Sequence, residues 1–245
     1  MRRFKFILEY DGSRFFGWQR QAIKPTVQQL LEDCLIFLTK QHVVVMGAGR
    51  TDTGVNATGQ SAHADLNYPY NAYRLQAALN HFLVSQGLSI RSCEIVDNSF
   101  HARAGAIFRC YEYKILNRFA PPICDPKVWH VRNPLDAIAM HETAQELIGL
   151  HDFTSFRDTQ CQSKSPIKTI SEFIIKRENE IITAYLKSPS FLHHQVRIMM
   201  GTLKDVGSGK TSKQKFLEIL AAKDRTKAGV TAPPQGLTFT HVSYK

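Results

Sequence analysis

Stretches with a two-residue period alternate with stretches of helical spacing along the whole chain, which restricts it to folds that lay helices against a substantial sheet. Phe4–Tyr10 (FKFILEY) reads as a strand, closed by the turn-forming Asp11-Gly12-Ser13. Val27, Leu30, Leu31, Cys34, Leu35 and Leu38 recur at helical spacing over Val27–Lys40, with Thr26 as N-cap after Pro25. Val43–Met46 predicts a short strand that runs into a glycine-rich segment, Gly47–Gly59, and Ser61–Leu66 predicts another. A helix is expected over Tyr70–Phe82, then strands over Leu88–Ile95 and Arg109–Leu116. Further on, Asp136–Leu147 is helical and Lys168–Lys176 with Ile181–Leu186 predicts a hairpin around Glu178-Asn179-Glu180. Two more helices are expected, Phe191–Val206 and Ser212–Ala222. Both an α+β and an α/β arrangement fit this order. The three prolines of Ala120–Pro126 mark an exposed connection and a candidate boundary between two halves.

The formal net charge is +10, which fits a polyanionic partner, either nucleic acid or an anionic membrane surface, and fits equally a soluble basic protein without one. The excess is uneven: residues 176–245 hold 12 Lys and Arg against 5 Asp and Glu, dispersed through folded elements rather than in a tail. The five cysteines, Cys34, Cys93, Cys110, Cys124 and Cys161, are odd in number and never C-x-x-C spaced, which argues against a disulfide framework or a thiolate zinc site. The basic N-terminus has no signal-peptide h-region, and no apolar run approaches the length of a membrane span, so the cytoplasm is the expected location and no membrane partner is expected.

The densest chemistry lies in Gly47-Ala48-Gly49-Arg50-Thr51-Asp52-Thr53-Gly54-Val55. Glycines let this backbone turn tightly and approach a ligand, and Arg50 and Asp52 sit two residues apart, so an extended segment points both to one side. The bland reading is a turn with a surface ion pair. A dinucleotide G-x-G-x-x-G is ruled out because Asp52 stands where the third glycine is needed and would repel a pyrophosphate. Gly207-Ser208-Gly209-Lys210-Thr211 imitates the end of a phosphate-binding loop, but Lys204 occupies its first glycine position, so it reads as a solvated turn between helices. His193 and His194 lack zinc-site spacing, and as helical neighbours they diverge by about 100°. Arg197 falls one helical turn after His193 among apolar residues, where a cation needs a carboxylate partner unless it reaches solvent. Tyr111 and Tyr113 share one strand face, either as core packing or as a ring that stacks on a base.

Seven ordered segments together resemble the TruA-type tRNA pseudouridine synthases across nearly the whole chain. They are Glu9–Gln21 (EYDGSRFFGWQRQ), Gly47–His63 (GAGRTDTGVNATGQSAH), Phe100–Arg103 (FHAR), Arg109–Tyr113 (RCYEY), Asp152–Phe156 (DFTSF), Gln160–Lys168 (QCQSKSPIK) and Phe191–Leu203 (FLHHQVRIMMGTL). The resemblance implies an α+β fold of two related halves, 1–108 and 109–245, sharing a continuous, mainly antiparallel sheet with a central catalytic cleft. It places Asp52 on the family's catalytic aspartate and Arg50 on the arginine associated with moving the target base out of its stack. Tyr111 falls on the tyrosine that packs against the uracil, and Arg197 on the arginine that pairs with the aspartate. It implies isomerisation of uridines 38 to 40 in the anticodon arm of tRNA by a homodimer. Asn56 stands where close relatives carry histidine, and Cys110 where some carry a basic residue.

The implied chemistry breaks the N1–C1′ bond, rotates the uracil and rejoins it through C5, from which a proton then leaves. It is an isomerisation that consumes no oxidant or nucleotide, so neither a cofactor nor a metal is expected. One carboxylate can serve as nucleophile, as base or as stabiliser of positive charge at C1′. Two rivals remain: a non-catalytic tRNA-binding protein, which leaves an acid inside a basic glycine loop unexplained, and a carboxylate-based hydrolase, for which no second carboxylate stands near Asp52 in sequence.

Overall fold

A computed structural model describes residues 1–22, 24–124 and 127–245. The chain divides into two compact units, one made of 1–109 with 238–245 and the other of 110–237.

The first unit begins with β1 (Arg2–Tyr10), whose burial alternates so that Phe4, Phe6, Leu8 and Tyr10 face one side and are buried. Each such side chain contributes about 1.5–3 kcal/mol on burial. Helix α1 (Val27–Thr39) starts where Thr26 accepts a hydrogen bond from the Gln29 N–H, and it buries Val27, Leu31 and Leu35. A two-residue strand, β2 (Met46–Gly47), is followed by β3 (Asn56–Leu66), α2 (Ala72–Leu83, capped by Asn71) and β4 (Leu88–Val96). β1 lies between β4 and β3, antiparallel to both, with Arg2 opposite Leu66 and Tyr10 opposite Ala57. α2 packs on β4, and α1 packs on α2.

β5 (Phe108–Asn117) carries the chain into the second unit. There β6 (Trp129–Val131) pairs parallel to β5, and α3 (Ala137–Gln145), capped by Asp136, leads to β7 (Gly149–Asp152). β8 (Ile167–Ile170) pairs with β7 as a separate two-stranded sheet. β9 (Glu172–Glu178) and β10 (Ile181–Ser188) form an antiparallel hairpin turned at Asn179, which takes a left-handed φ of 54°. Helices α4 (Gln195–Gly207) and α5 (Lys213–Ala222) follow. α4 is buried along most of its length, and α3 packs against both it and β9. The final strand, β11 (Leu237–Ser243), lies almost wholly in the first unit, where Thr238 and Phe239 pair parallel to Asn56 and Ala57 of β3. Helices on mixed, mostly antiparallel strands make this an α+β protein.

Several boundaries differ from expectation. The strand expected over Val43–Met46 is reduced to Met46–Gly47 because side chains of α1 take the backbone groups: Glu32 Oε1 accepts from the Val45 N–H at 2.9 Å, and Gln28 Nε2 donates to the Val45 carbonyl at 3.1 Å. β3 begins at Asn56, inside the glycine-rich segment rather than at Ser61. The first arm of the expected hairpin is two strands, β8 and β9, broken at Ser171, whose N–H donates to the Lys187 carbonyl. The helix expected from Phe191 starts at Gln195. The proline-rich connection lies within the second unit's span rather than between the units, and its residues Asp125 and Pro126 fall outside the described residues.

Candidate active site

In the first unit the aspartate loop is held by two other sequence segments. The loop's carbonyls are tied down in turn. Arg109 donates to the Ala48 carbonyl from Nη2 at 2.9 Å and from Nε at 3.2 Å, and Gln60 Nε2 donates to the Gly49 carbonyl at 2.8 Å. The Trp18 N–H donates to the Thr51 carbonyl at 3.1 Å, and the Val55 N–H donates to the Asp52 carbonyl at 3.1 Å. Below the loop the Thr51 hydroxyl meets the Tyr10 phenol at 2.9 Å, both groups buried. Burial pushes the Tyr10 phenol well above its ordinary range. The turn Phe15–Trp18 comes so close that a Cβ on Gly17, at φ 85°, would stand 2.6 Å from the Thr51 carbonyl oxygen. The Gly12 N–H donates to Asn56 Oδ1 at 3.0 Å. Glu9–Gln21 and Gly47–His63 are therefore parts of one local structure. It presents Asp52 half-buried and Arg50 exposed, with Arg50 Nε donating to Gln19 Oε1 at 3.1 Å.

The second unit carries Tyr111 and Arg197. Tyr111 is half-buried on β5, and its ring meets Phe191 edge-on with centroids 5.2 Å apart. Two residues on, Tyr113 is fully buried and donates its hydroxyl to the Pro233 carbonyl at 2.8 Å, so this ring is core; burial raises its phenol well above the ordinary range. Arg197 lies on the first turn of α4 and is laced to one residue of the segment after α5. Its Nε donates to the Ala232 carbonyl at 2.8 Å while its own carbonyl accepts from the Ala232 N–H at 3.0 Å. That segment runs against α4 closely enough that a Cβ on Gly201 would meet the Val230 carbonyl oxygen at 1.8 Å.

His193 and His194 precede α4, so Arg197 does not follow His193 along one helical face as expected. The two rings do not diverge either: their centroids are 3.9 Å apart. Asp158 lies against both: its Oδ2 lies 2.7 Å from His194 Nδ1, its Oδ1 lies 3.6 Å from His193 Nδ1, and its N–H donates to the His193 carbonyl. His194 takes a left-handed φ of 60°. The nearby Cys161 thiol is lowered: burial alone would raise it, but N–H groups of Ser163 and His193 and the Arg157 guanidinium outweigh burial. None of the five cysteines forms a disulfide. Gly207–Thr211 is the turn between α4 and α5, with Ser212 capping α5.

The sequence does not mark Gln19 or Ala232, and it marks Phe191 only as an inward-facing residue of the expected helix. Gln19 and Phe191 stand inside motif segments but show no periodicity that reveals a partner, and Ala232 acts through its backbone.

The chain matches the family described as tRNA pseudouridine synthase over residues 7–103 and 143–245. It is 48% identical over 247 residues to tRNA pseudouridine synthase A of Bartonella henselae, with all of both chains covered. It is also 48% identical over 245 residues to the protein of the same name from Rhodospirillum centenum, again over both full lengths. The chain belongs to the tRNA pseudouridine synthase family. It is an isomerase that converts uridine to pseudouridine in tRNA. No helix among the described residues is long and apolar enough to cross a membrane.

Proposed function

We propose that Asp52 is the catalytic carboxylate of this isomerase and that the target uridines are positions 38 to 40 of the anticodon arm. Arg50 assists the target base out of its stack, Tyr111 packs against the extruded uracil, and Arg197 supplies the guanidinium that keeps the aspartate charged. The division of labour follows 1–108, which carries Asp52, and 109–245, which carries Tyr111 and Arg197. The protein works as a cytoplasmic homodimer and needs neither metal nor cofactor, because the reaction only rearranges bonds within the nucleotide.

One observation carries this reading. The loop around Asp52 has its carbonyls at Ala48, Gly49, Thr51 and Asp52 bonded to fixed donors, so a carboxylate is presented from a pre-organised backbone. A loop built to cradle phosphate would aim its N–H groups outward and would exclude an acid. The supporting pieces have matching magnitudes. Extruding a base costs a few kcal/mol, and stacking on an aromatic ring recovers about 1–3 kcal/mol. A phenol edge-packed on Phe191 is a ring held ready for that stack.

Position-by-position mapping of pseudouridine in an unmodified tRNA incubated with the protein tests the target. Modification confined to 38, 39 and 40 is expected, and modification elsewhere with those three untouched contradicts it. A salt titration of tRNA binding accompanies the mapping. The slope of log K against log salt should steepen by about 0.7–0.9 per phosphate neutralised.

A further inference from the structure

We propose that Gln19 is a positioning residue for Arg50, and that its orientation is dictated by the buried carboxylate of Glu32 through a chain of two glutamine amides. The inference rests on the role given to Arg50 above.

The chain begins in the core of the first unit. Glu32 is only 4% exposed, and its carboxylate is fully engaged: Oε1 accepts from the Val45 N–H at 2.9 Å and from Gln28 Nε2 at 3.0 Å, while Oε2 accepts from Arg20 Nε at 2.8 Å. The Gln28 NH2 has a second acceptor, the Val45 carbonyl at 3.1 Å. Two acceptors on one side leave the Gln28 amide a single sensible orientation, with Oε1 pointing away from Glu32. That oxygen accepts from the Arg20 N–H at 3.0 Å and from Gln19 Nε2 at 2.9 Å. Because Gln19 must turn its NH2 toward Gln28, its own Oε1 faces outward, where it accepts from Arg50 Nε at 3.1 Å. Every donor meets an acceptor along the line, so reversing any amide would set two like groups against each other.

The consequence is local to Arg50. A bond at Nε directs that edge of the guanidinium toward Gln19 and so biases the direction in which its two Nη groups point. Arg50 is exposed, and each bond to a long exposed side chain reduces the rotamers it samples. The bond to Gln19 narrows that sampling before the RNA arrives. Gln19 is itself exposed, and without it Gln28 Oε1 keeps the Arg20 N–H, so Gln19 is dispensable for the buried part of the network.

The test uses the full chain and unmodified tRNA with four proteins: wild type, Gln19→Leu, Arg50→Leu and the double variant. Turnover is read by tritium release from C5-labelled uridine, tRNA affinity by filter binding, and folding by Tm. Gln19→Leu is expected to lower kcat about three- to tenfold, the scale of one net hydrogen bond, with Tm and tRNA affinity unchanged. On the Arg50→Leu background it should cost nothing further, a result that a merely structural role would not give. Wild-type kcat for Gln19→Leu, or a loss that multiplies with that of Arg50→Leu, overturns the proposal. If Arg50→Leu alone keeps wild-type kcat, the role assigned to Arg50 fails first and takes the proposal with it.

Discussion

The Tyr10 phenol lies 2.9 Å from the Thr51 hydroxyl, so the residue before Asp52 is anchored to the last residue of β1. Tyr10→Phe removes one partner of a buried pair and leaves the Thr51 hydroxyl without this bond. A loss of about 1–3 kcal/mol is expected, which corresponds to a Tm drop of roughly 2–12 °C in a chain of this size. Thermal unfolding of the variant checks this, and an unchanged Tm contradicts the anchoring.

Gly17→Ala should be more damaging to activity than its size suggests. The position sits at φ 85°, and the added methyl would lie 2.6 Å from the Thr51 carbonyl oxygen, so the loop must move or the turn must open. The expected result is a folded protein with at least tenfold lower turnover. Full activity would show that the Asp52 loop does not depend on the Phe15–Trp18 turn.

Phe191→Ala withdraws the edge contact that holds the Tyr111 ring. An aromatic pair contributes about 0.5–1.5 kcal/mol beyond its buried area, so a two- to tenfold fall in turnover is expected, with tRNA affinity largely kept. Steady-state kinetics beside a binding assay separates the two, and an unaltered kcat would remove Phe191 from the account of Tyr111.

Acid should weaken the first unit through His63. Burial first, and then the charges of Arg3 and His101, lower its pKa to about 4, while Nδ1 accepts from the Ala102 N–H at 3.1 Å. The folded pKa lies below the unfolded value of 6.5, so the unfolded chain binds the extra proton between those values. Stability from this group is complete above pH 6.5 and declines as pH falls toward 4, by at most about 1.4 kcal/mol per unit. Denaturant unfolding across that range should show the slope in wild type and a flatter slope in His63→Gln. Equal slopes in the two proteins contradict the assignment.

Local chemistry made much of this legible in sequence. Thr26 capped α1 where expected, the alternation of Phe4, Phe6, Leu8 and Tyr10 marked the buried face of β1, and the acid inside a glycine loop drew attention to Asp52. What stayed hidden depends on partners far away in sequence. Glu32 and Gln28 take the backbone groups of Val45 and so shorten β2, and His194, bonded to Asp158, is left-handed, so α4 starts only at Gln195. Leu237–Ser243 alternates as a strand does, yet nothing in it announces a parallel partner at Asn56 and Ala57. The candidate site followed the same rule. Residue types pointed to Asp52, Arg50, Tyr111 and Arg197 as candidates, while Gln19, Phe191 and the Ala232 backbone, which contact Arg50, Tyr111 and Arg197, act through geometry alone.

One carboxylate, that of Asp52, is proposed to perform the isomerisation, and its uncharged near-isostere is the sharpest probe of that role. Tritium release from C5-labelled uridine in tRNA, measured for wild type and Asp52→Asn at matched Tm and tRNA affinity, should fall at least about a thousandfold in the variant. Turnover by Asp52→Asn close to that of wild type would contradict it.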